Sequence, residues 1–235
     1  MAQAIQRIAD NLARVRERIA VAANSVNRDP SEIQLIGVSK YVGVEETAAL
    51  LQSGCLDLGE SRPQQLWEKA ESAELASAKW HLIGHLQRNK VRRTLPVVHM
   101  IHSVDSLRLL EAIEQCASEL QRPTQVLLEV NCSGDRAKHG MTSDALRRLL
   151  PSLADLNHVS ACGLMTMASL KGGPDVAEQN FADLRKLRDT VQSECPSGIQ
   201  LRELSMGMSQ DFEAAIRAGS TMVRLGSILF EGVQI

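Results

Sequence analysis

Aromatic side chains are scarce: Phe, Trp and Tyr together make up 3% of the 235 residues. A core built from this chain is therefore aliphatic, and no basic-aromatic interleaving suited to stacking on nucleic-acid bases is seen. No apolar run approaches the ~20 residues that cross a bilayer. The N-terminal segment also lacks the apolar centre of a signal peptide. An excess of one charge is missing too. Lys plus Arg number 26 against 28 Asp plus Glu, and the net charge of -2 gives no pull toward nucleic acid or an acidic membrane. The five cysteines (Cys55, Cys116, Cys132, Cys162, Cys195) are odd in number, widely spaced and free of any CxxC. That pattern argues against a disulfide framework or structural zinc and for a reducing compartment, so a cytoplasmic location is expected. No Gly-rich dinucleotide turn or P-loop occurs. No Pro- or Gly-rich linker divides the chain, and KGGPD (171–175) is the one strong breaker cluster, placed where a loop is expected. A single domain over 1–235 follows.

What is present is alternation. At the N-terminus Ile5, Ile8, Leu12, Val15 and Ile19 recur at helical spacing and predict an amphipathic helix over about 2–24 that lies on a protein surface. Four arginines there hint at a transit peptide, against which Asp10 and Glu17 weigh. From residue 33 short β-type runs follow one another: 33–40, 55–60, 79–84, 97–104, 125–131, 158–165, 201–206 and 221–226. Helix-length segments separate them at 44–54, 62–76, 104–120, 142–156, 176–194 and 209–219, and 85–93 is the weakest of the set. Strict strand-helix alternation predicts a parallel sheet. Eight units in so short a chain favour closure into a (β/α)8 barrel, which typically takes about 250 residues.

In such barrels the functional face is the C-terminal end of the strands. Lys40 ends the first run and by alternation shares a face with Ile36 and Val38. Above an apolar floor a lysine favours the neutral amine, which attacks aldehydes. A lysine that simply reaches water fits the same position. SMGMSQ (205–210) and RLGS (224–227) follow the last two strands, where phosphates frequently bind. Ser205, Ser209, Gly207, Gly226 and Ser227 offer hydroxyls and approachable backbone, and the helix after Ser209 is expected to aim free N–H groups at an anion. An ordinary capped turn explains SMGMSQ equally. Arg224 alternates with Val223 and Leu225 and should point inward with Met222, either paired with a core acid such as Glu129 or Glu203 or donating to a ligand. His81 and His85 mimic a zinc HxxxH but straddle a strand end, so no metal is expected. The loop GDRAKHGM (134–141) reads as a surface loop or a lid, and Cys162 as core.

These residues carry a resemblance. GVSK (37–40), GES (59–61), WHLIGHLQRNK (80–90), VNCSGDRAKHG (130–140), GLMTMA (163–168) and LSMGMSQDFEAAIRAGSTMVRLG (204–226) resemble the pyridoxal phosphate homeostasis proteins, the YggS/PROSC-like family, from about Ile33 to Gly232. The resemblance implies a modified β/α barrel like the N-terminal domain of alanine racemase. It implies pyridoxal 5'-phosphate (PLP) linked as a Schiff base to Lys40, with phosphate held around Ser205, Met206, Gly207, Gly226 and Ser227 and with Arg224 near the pyridine nitrogen. Members of the family are similar in lacking an established reaction and in buffering or delivering PLP, with effects on amino-acid and keto-acid pools. One departure is visible: the family's GENxxQE reads GESRPQQ here, so the shorter Ser61 replaces an Asn.

The resemblance also frames a choice between carrier and enzyme. PLP acts as an electron sink best when its ring nitrogen is protonated, and Arg224 is a permanent donor that cannot accept that proton. Racemisation needs a second base, a Tyr from an additional domain in racemases. The only tyrosine here, Tyr41, is expected by alternation to point away from Lys40. A carrier without robust catalysis is therefore expected, as a monomer or weak dimer, with a small-molecule cofactor and neither nucleic acid nor membrane as partner. An amino-acid racemase drawing a base from His, Cys or a second subunit is the alternative, and a Schiff-base aldolase is a third.

Overall fold

A computed structural model describes residues 2–135, 139–169 and 173–233. Parts of two loops singled out above, at 136–138 and 171–172, lie outside the described residues. Eight strands, β1 (Gln34–Val38), β2 (Asp57–Glu60), β3 (Lys79–Leu82), β4 (Met100–Val104), β5 (Thr124–Glu129), β6 (Val159–Met165), β7 (Glu203–Ser205) and β8 (Met222–Leu225), pair in chain order, all parallel. β8 pairs with β1 and closes the barrel, with Gly37 opposite Leu225. Six helices that follow strands are α2 (Val44–Gln52), α3 (Pro63–Ala70), α5 (Leu107–Glu119), α6 (Ser143–Leu149), α7 (Gly173–Val191) and α8 (Phe212–Arg217). The weakest predicted segment becomes a single 3-10 turn and a four-residue helix, α4 (Val91–Thr94).

Alternation along each strand sorts side chains into two cores. Leu58, Leu82, Ile101, Val126, Leu128, Leu204, Val223 and Leu225 face outward and pack under the helices. Ile36, Met100, Leu127, Met165 and Met222 form a smaller apolar cluster inside the barrel. With so few aromatics available, flexible methionines fill this irregular interior. Each such residue, fully buried, contributes about 1.5–3 kcal/mol. Gly163 faces β7 so closely that a Cβ would stand 1.9 Å from the Glu203 carbonyl oxygen, so a side chain there would push the two strands apart. Just before it the β5–β6 register shifts, and Cys162 is the extra residue of the irregularity, half-buried beside the inner cluster rather than within the core.

Helix α1 (Ala2–Asn24) precedes the barrel and packs against α2 and α8. Ile8, Leu12, Val15 and Ile19 are its buried stripe. Asn11 donates to the carbonyls of Leu229 (3.1 Å) and Glu231 (2.9 Å), which ties α1 to the chain that leaves β8. The helix thus covers the β1–β8 seam. Among the described residues no helix is long and apolar enough to cross a membrane.

Candidate functional site

Strand β1 ends at Val38, two residues before Lys40. Ser39 is fully buried and held on both sides. Its hydroxyl donates to Glu60 Oε1 (2.8 Å) and its carbonyl accepts from Lys69 Nζ (2.7 Å), while Lys69 also pairs with Glu60 (2.5 Å). This clamp fixes the backbone from which Lys40 departs. Lys40 itself is half-buried in the turn to α2, which opens with Gly43 N–H donating to Glu46 Oε2 (2.9 Å). Strand alternation no longer applies there. The Lys40 ammonium lies over the exposed Tyr41 ring, 4.9 Å from its centroid, so the expectation that Tyr41 points away is wrong.

The turns after β7 and β8 adjoin each other, and the second adjoins the end of β1. A Cβ on Gly226 would come within 3.2 Å of the Val38 carbonyl oxygen, which places the second turn beside the end of β1. Gly226 N–H donates to Ser209 Oγ (3.2 Å) and Arg224 N–H to the Gly207 carbonyl (3.0 Å), which join the two turns. Gly207 has φ +93°, and a Cβ there would stand 2.6 Å from that of Ala215, so only glycine fits without strain. Among the described residues the N–H groups of Gly207 and Ser209 make no hydrogen bond. Ser227 opens a 3-10 turn, whose first N–H has no partner within the turn.

Three expectations about these turns need revision. The Ser205 hydroxyl is fully buried within the barrel and engaged there, not presented at the rim. Met206 sends its side chain into the outer core, and its N–H donates to the Met222 carbonyl (3.1 Å), so it frames the turn without offering a donor. Helix α8 starts only at Phe212 and has six residues, and Asp211 stands at its start accepting from Met208 N–H (2.6 Å). The unbonded N–H groups of this turn therefore precede the helix rather than belonging to its first turn.

Arg224 points inward with Met222, as alternation predicts. Neither acid suggested for it is within ion-pair distance among the described residues: Nη1 donates to Ser205 Oγ (2.6 Å) and Nη2 to the Thr166 carbonyl (2.9 Å). Glu203 instead accepts from Thr221 Oγ1 (2.6 Å). Burial pushes the Arg224 pKa down to about 10, opposed by the negative charge of Glu129 and Asp211, and the group stays a cation at neutral pH. A guanidinium has five N–H donors, and the two bonds above use two. Glu129 ends β5 on the inner face, and its pKa is pushed up to about 7, chiefly by burial and then by Asp105, against the pull of Arg224.

Sequence reasoning missed several groups around this mouth. Ser205 Oγ also bonds His102 Nδ1 (2.8 Å). His81 faces the interior whereas His85 stands on the rim, so the two do not form one ligand pair. His85 stacks on His139 (ring centroids 4.6 Å apart) and bonds Asp105 (3.2 Å). Alternation along β3 and β4 places His81 and His102 inside, but nothing local pairs Lys69 with Glu60.

Comparison with known proteins adds to this geometry. Residues 6–233 match the family model described as alanine racemase, N-terminal domain. A protein of Aquifex aeolicus named pyridoxal phosphate homeostasis protein is 37% identical over 221 residues, 94% of this chain and 96% of its own. One of the same name from Synechocystis is 38% identical over 202 residues, 86% of this chain and 92% of its own. The structure of PipY from Synechococcus elongatus with PLP bound superposes with a TM-score of 0.85 at 35% identity, covering 95% of this chain and 99% of that one. Alanine racemase of Clostridium difficile shares the fold at TM-score 0.72 and 18% identity, with 56% of its length covered.

Proposed function

The chain belongs to the pyridoxal phosphate homeostasis proteins, built on the alanine racemase N-terminal domain, and from that premise we propose that it binds PLP at this barrel mouth as a Schiff base on Lys40 and serves intracellular PLP homeostasis without robust catalysis of its own. The observation that supports the reading is the approach of Gly226 to the Val38 carbonyl, which sets the end of β1, two residues before Lys40, beside the turns with unspent N–H donors. Lys40 leaves the end of β1, and the Val38 carbonyl abuts Gly226 in the last turn. The donor set fits the group. Gly207, Ser209 and Ser227 N–H groups suit a phosphate, with Gly226 joining the two turns and Ser205 and Met206 framing the first. Arg224 keeps donors for a neutral ring nitrogen.

When bound, the cofactor supplies an aldehyde and an electron-withdrawing ring. The chain's own part is to bind and orient it. The Lys40 amine attacks the aldehyde carbon, and the carbonyl oxygen departs as water as the C=N bond forms. The Ser39–Glu60–Lys69 clamp holds the lysine's backbone in register with the turns. Arg224, always a donor, leaves a ring nitrogen unprotonated, which weakens the sink and favours storage over turnover. An influence on amino-acid and keto-acid balance then follows from PLP supply.

Absorbance tests this reading. The purified chain loaded with PLP should show a Schiff-base band in the visible range, and Lys40→Ala should abolish it while the far-ultraviolet dichroism is kept. A panel of L-amino acids followed by chiral chromatography should show no turnover beyond free PLP. An unchanged band in Lys40→Ala overturns the site, and strong racemisation overturns the carrier role.

A further inference from the structure

Behind Arg224 a line of buried polar groups crosses the barrel. Its bonds run from Arg224 Nη1 to Ser205 Oγ (2.6 Å), from Ser205 Oγ to His102 Nδ1 (2.8 Å), from His102 Nε2 to His81 Nδ1 (2.9 Å) and from His81 Nε2 to Asp57 Oδ1 (3.0 Å). Ser205, His102 and His81 are fully buried. Asp57 starts β2 at the opposite end of the barrel and lines a cavity of about 440 Å³ beside Arg16, Ser31 and Gln34, where α1 meets the barrel.

With both rings neutral, one direction of the protons satisfies every bond in this line. A guanidinium has no acceptor, so Arg224 donates to Ser205. At the far end the Asp57 carboxylate only accepts, which puts the proton of a neutral His81 on Nε2 and, back along the line, leaves His102 Nδ1 to accept from the serine. Burial first, with Arg224 adding to it, holds the His102 pKa well below its ordinary value, so the ring is neutral and carries its proton on Nε2. That proton points at His81 Nδ1, which must accept in turn. The His81 proton is then on Nε2 and points at Asp57. Burial raises the Asp57 pKa, but bonds from His81 and Gln34 and the charge of Lys79 outweigh it, and the carboxyl ends lower than usual, as an anion. All four donor arrows run from the cation to the carboxylate.

We propose that Asp57, His81, His102 and Ser205 are positioning residues for Arg224: the directed line holds one N–H of the guanidinium through a neutral hydroxyl, beside the bond to the Thr166 carbonyl, compensates its charge from across the barrel, and leaves the remaining N–H donors for an acceptor at the mouth. A carboxylate in the place of Ser205 would take two of those donors in a fork and neutralise the cation locally. The hydroxyl takes one. The acceptor that suits such a donor is an aromatic ring nitrogen without a proton, and that assignment rests on the PLP reading above.

Two arms test it on the full chain. The first needs no ligand: long-range 15N–1H correlation of the histidine rings at pH 7, with hydrogen exchange of the Arg224 side chain. His81 and His102 should both appear as neutral rings protonated at Nε2, and Arg224 exchange should speed up at least tenfold in Ser205→Ala. Asp57→Asn, which keeps shape and removes charge, should move the His102 nitrogen signals at an unchanged melting temperature. The second arm adds PLP. Ser205→Ala and Asp57→Asn should each weaken its binding by about two- to tenfold, the worth of one hydrogen bond, with a shift in the absorbance maximum that Ser205→Thr restores. Protonation of either ring at Nδ1 overturns the inference, as does cofactor affinity and absorbance untouched by both variants. A chain that passes the first arm and takes up no PLP overturns the functional reading instead, so the two failures stay distinct.

Discussion

Arg224 and Glu129 lie on the inner face near the mouth, and burial moves both toward neutrality from opposite sides. Glu129 has the larger consequence for stability. Its folded pKa of about 7 is above the ordinary 4.5, so the folded state holds a proton that the unfolded chain has released. Stability therefore falls as pH rises through that window and stays lowered above it, by about 3 kcal/mol. Asp105 adds to the penalty and Arg224 relieves it. Glu129→Gln should be more stable than the parent chain at pH 8 by that amount, with the difference shrinking toward zero near pH 4.5, as read from urea midpoints. An equal gain at both pH values would show that charge is not the cause. The inward course of Arg224 was legible in the sequence because β8 is regular through Leu225. Tyr41 was not, because pairing in β1 stops at Val38 and alternation carries no information past the last ladder bond.

At the scale of elements, all eight strands were legible, because aliphatic runs between helix-length segments have few other uses. Their C-terminal limits were legible in β2, β4 and β6 and not in the other five. β1, β3, β5, β7 and β8 each stop one or two residues earlier than the apolar pattern does. Where a strand leaves the sheet is decided by its neighbour's pairing rather than by its own residues. The same applies to α8, which starts at Phe212 after Asp211 has capped the turn instead of the helix, and that displaced the expected anion site into the loop. The helix stripe of α1 was readable, but its partner was not: it closes the β1–β8 seam through Leu12 and Asn11. Leu12→Ala should cost about 2–5 kcal/mol. Asn11→Ala, which strands two carbonyls, should cost about 1–3 kcal/mol. Amide hydrogen exchange should rise first in β1 and β8 in both variants. Exchange that rises evenly around the barrel would remove α1 from the role of seam cover.

At the scale of the molecule, the closed barrel brings the two ends of the sequence to one place. Lys40 in the first unit and the turns at 205–210 and 224–227 in the last two units are far apart in the chain and neighbours at the rim, because β8 pairs with β1. Lysine is spread widely over the sequence, including Lys69, Lys79, Lys90 and Lys186. Chemistry alone would let an aldehyde react with any exposed one. In the proposed site the closed fold singles out Lys40, because β8 and its turn lie beside the end of β1. The most direct test is to incubate the chain with stoichiometric PLP, reduce with borohydride and map the modified peptide by mass spectrometry. The account predicts one pyridoxyl-phosphate adduct, on Lys40. An adduct spread over several lysines, or sited on another one, would contradict it.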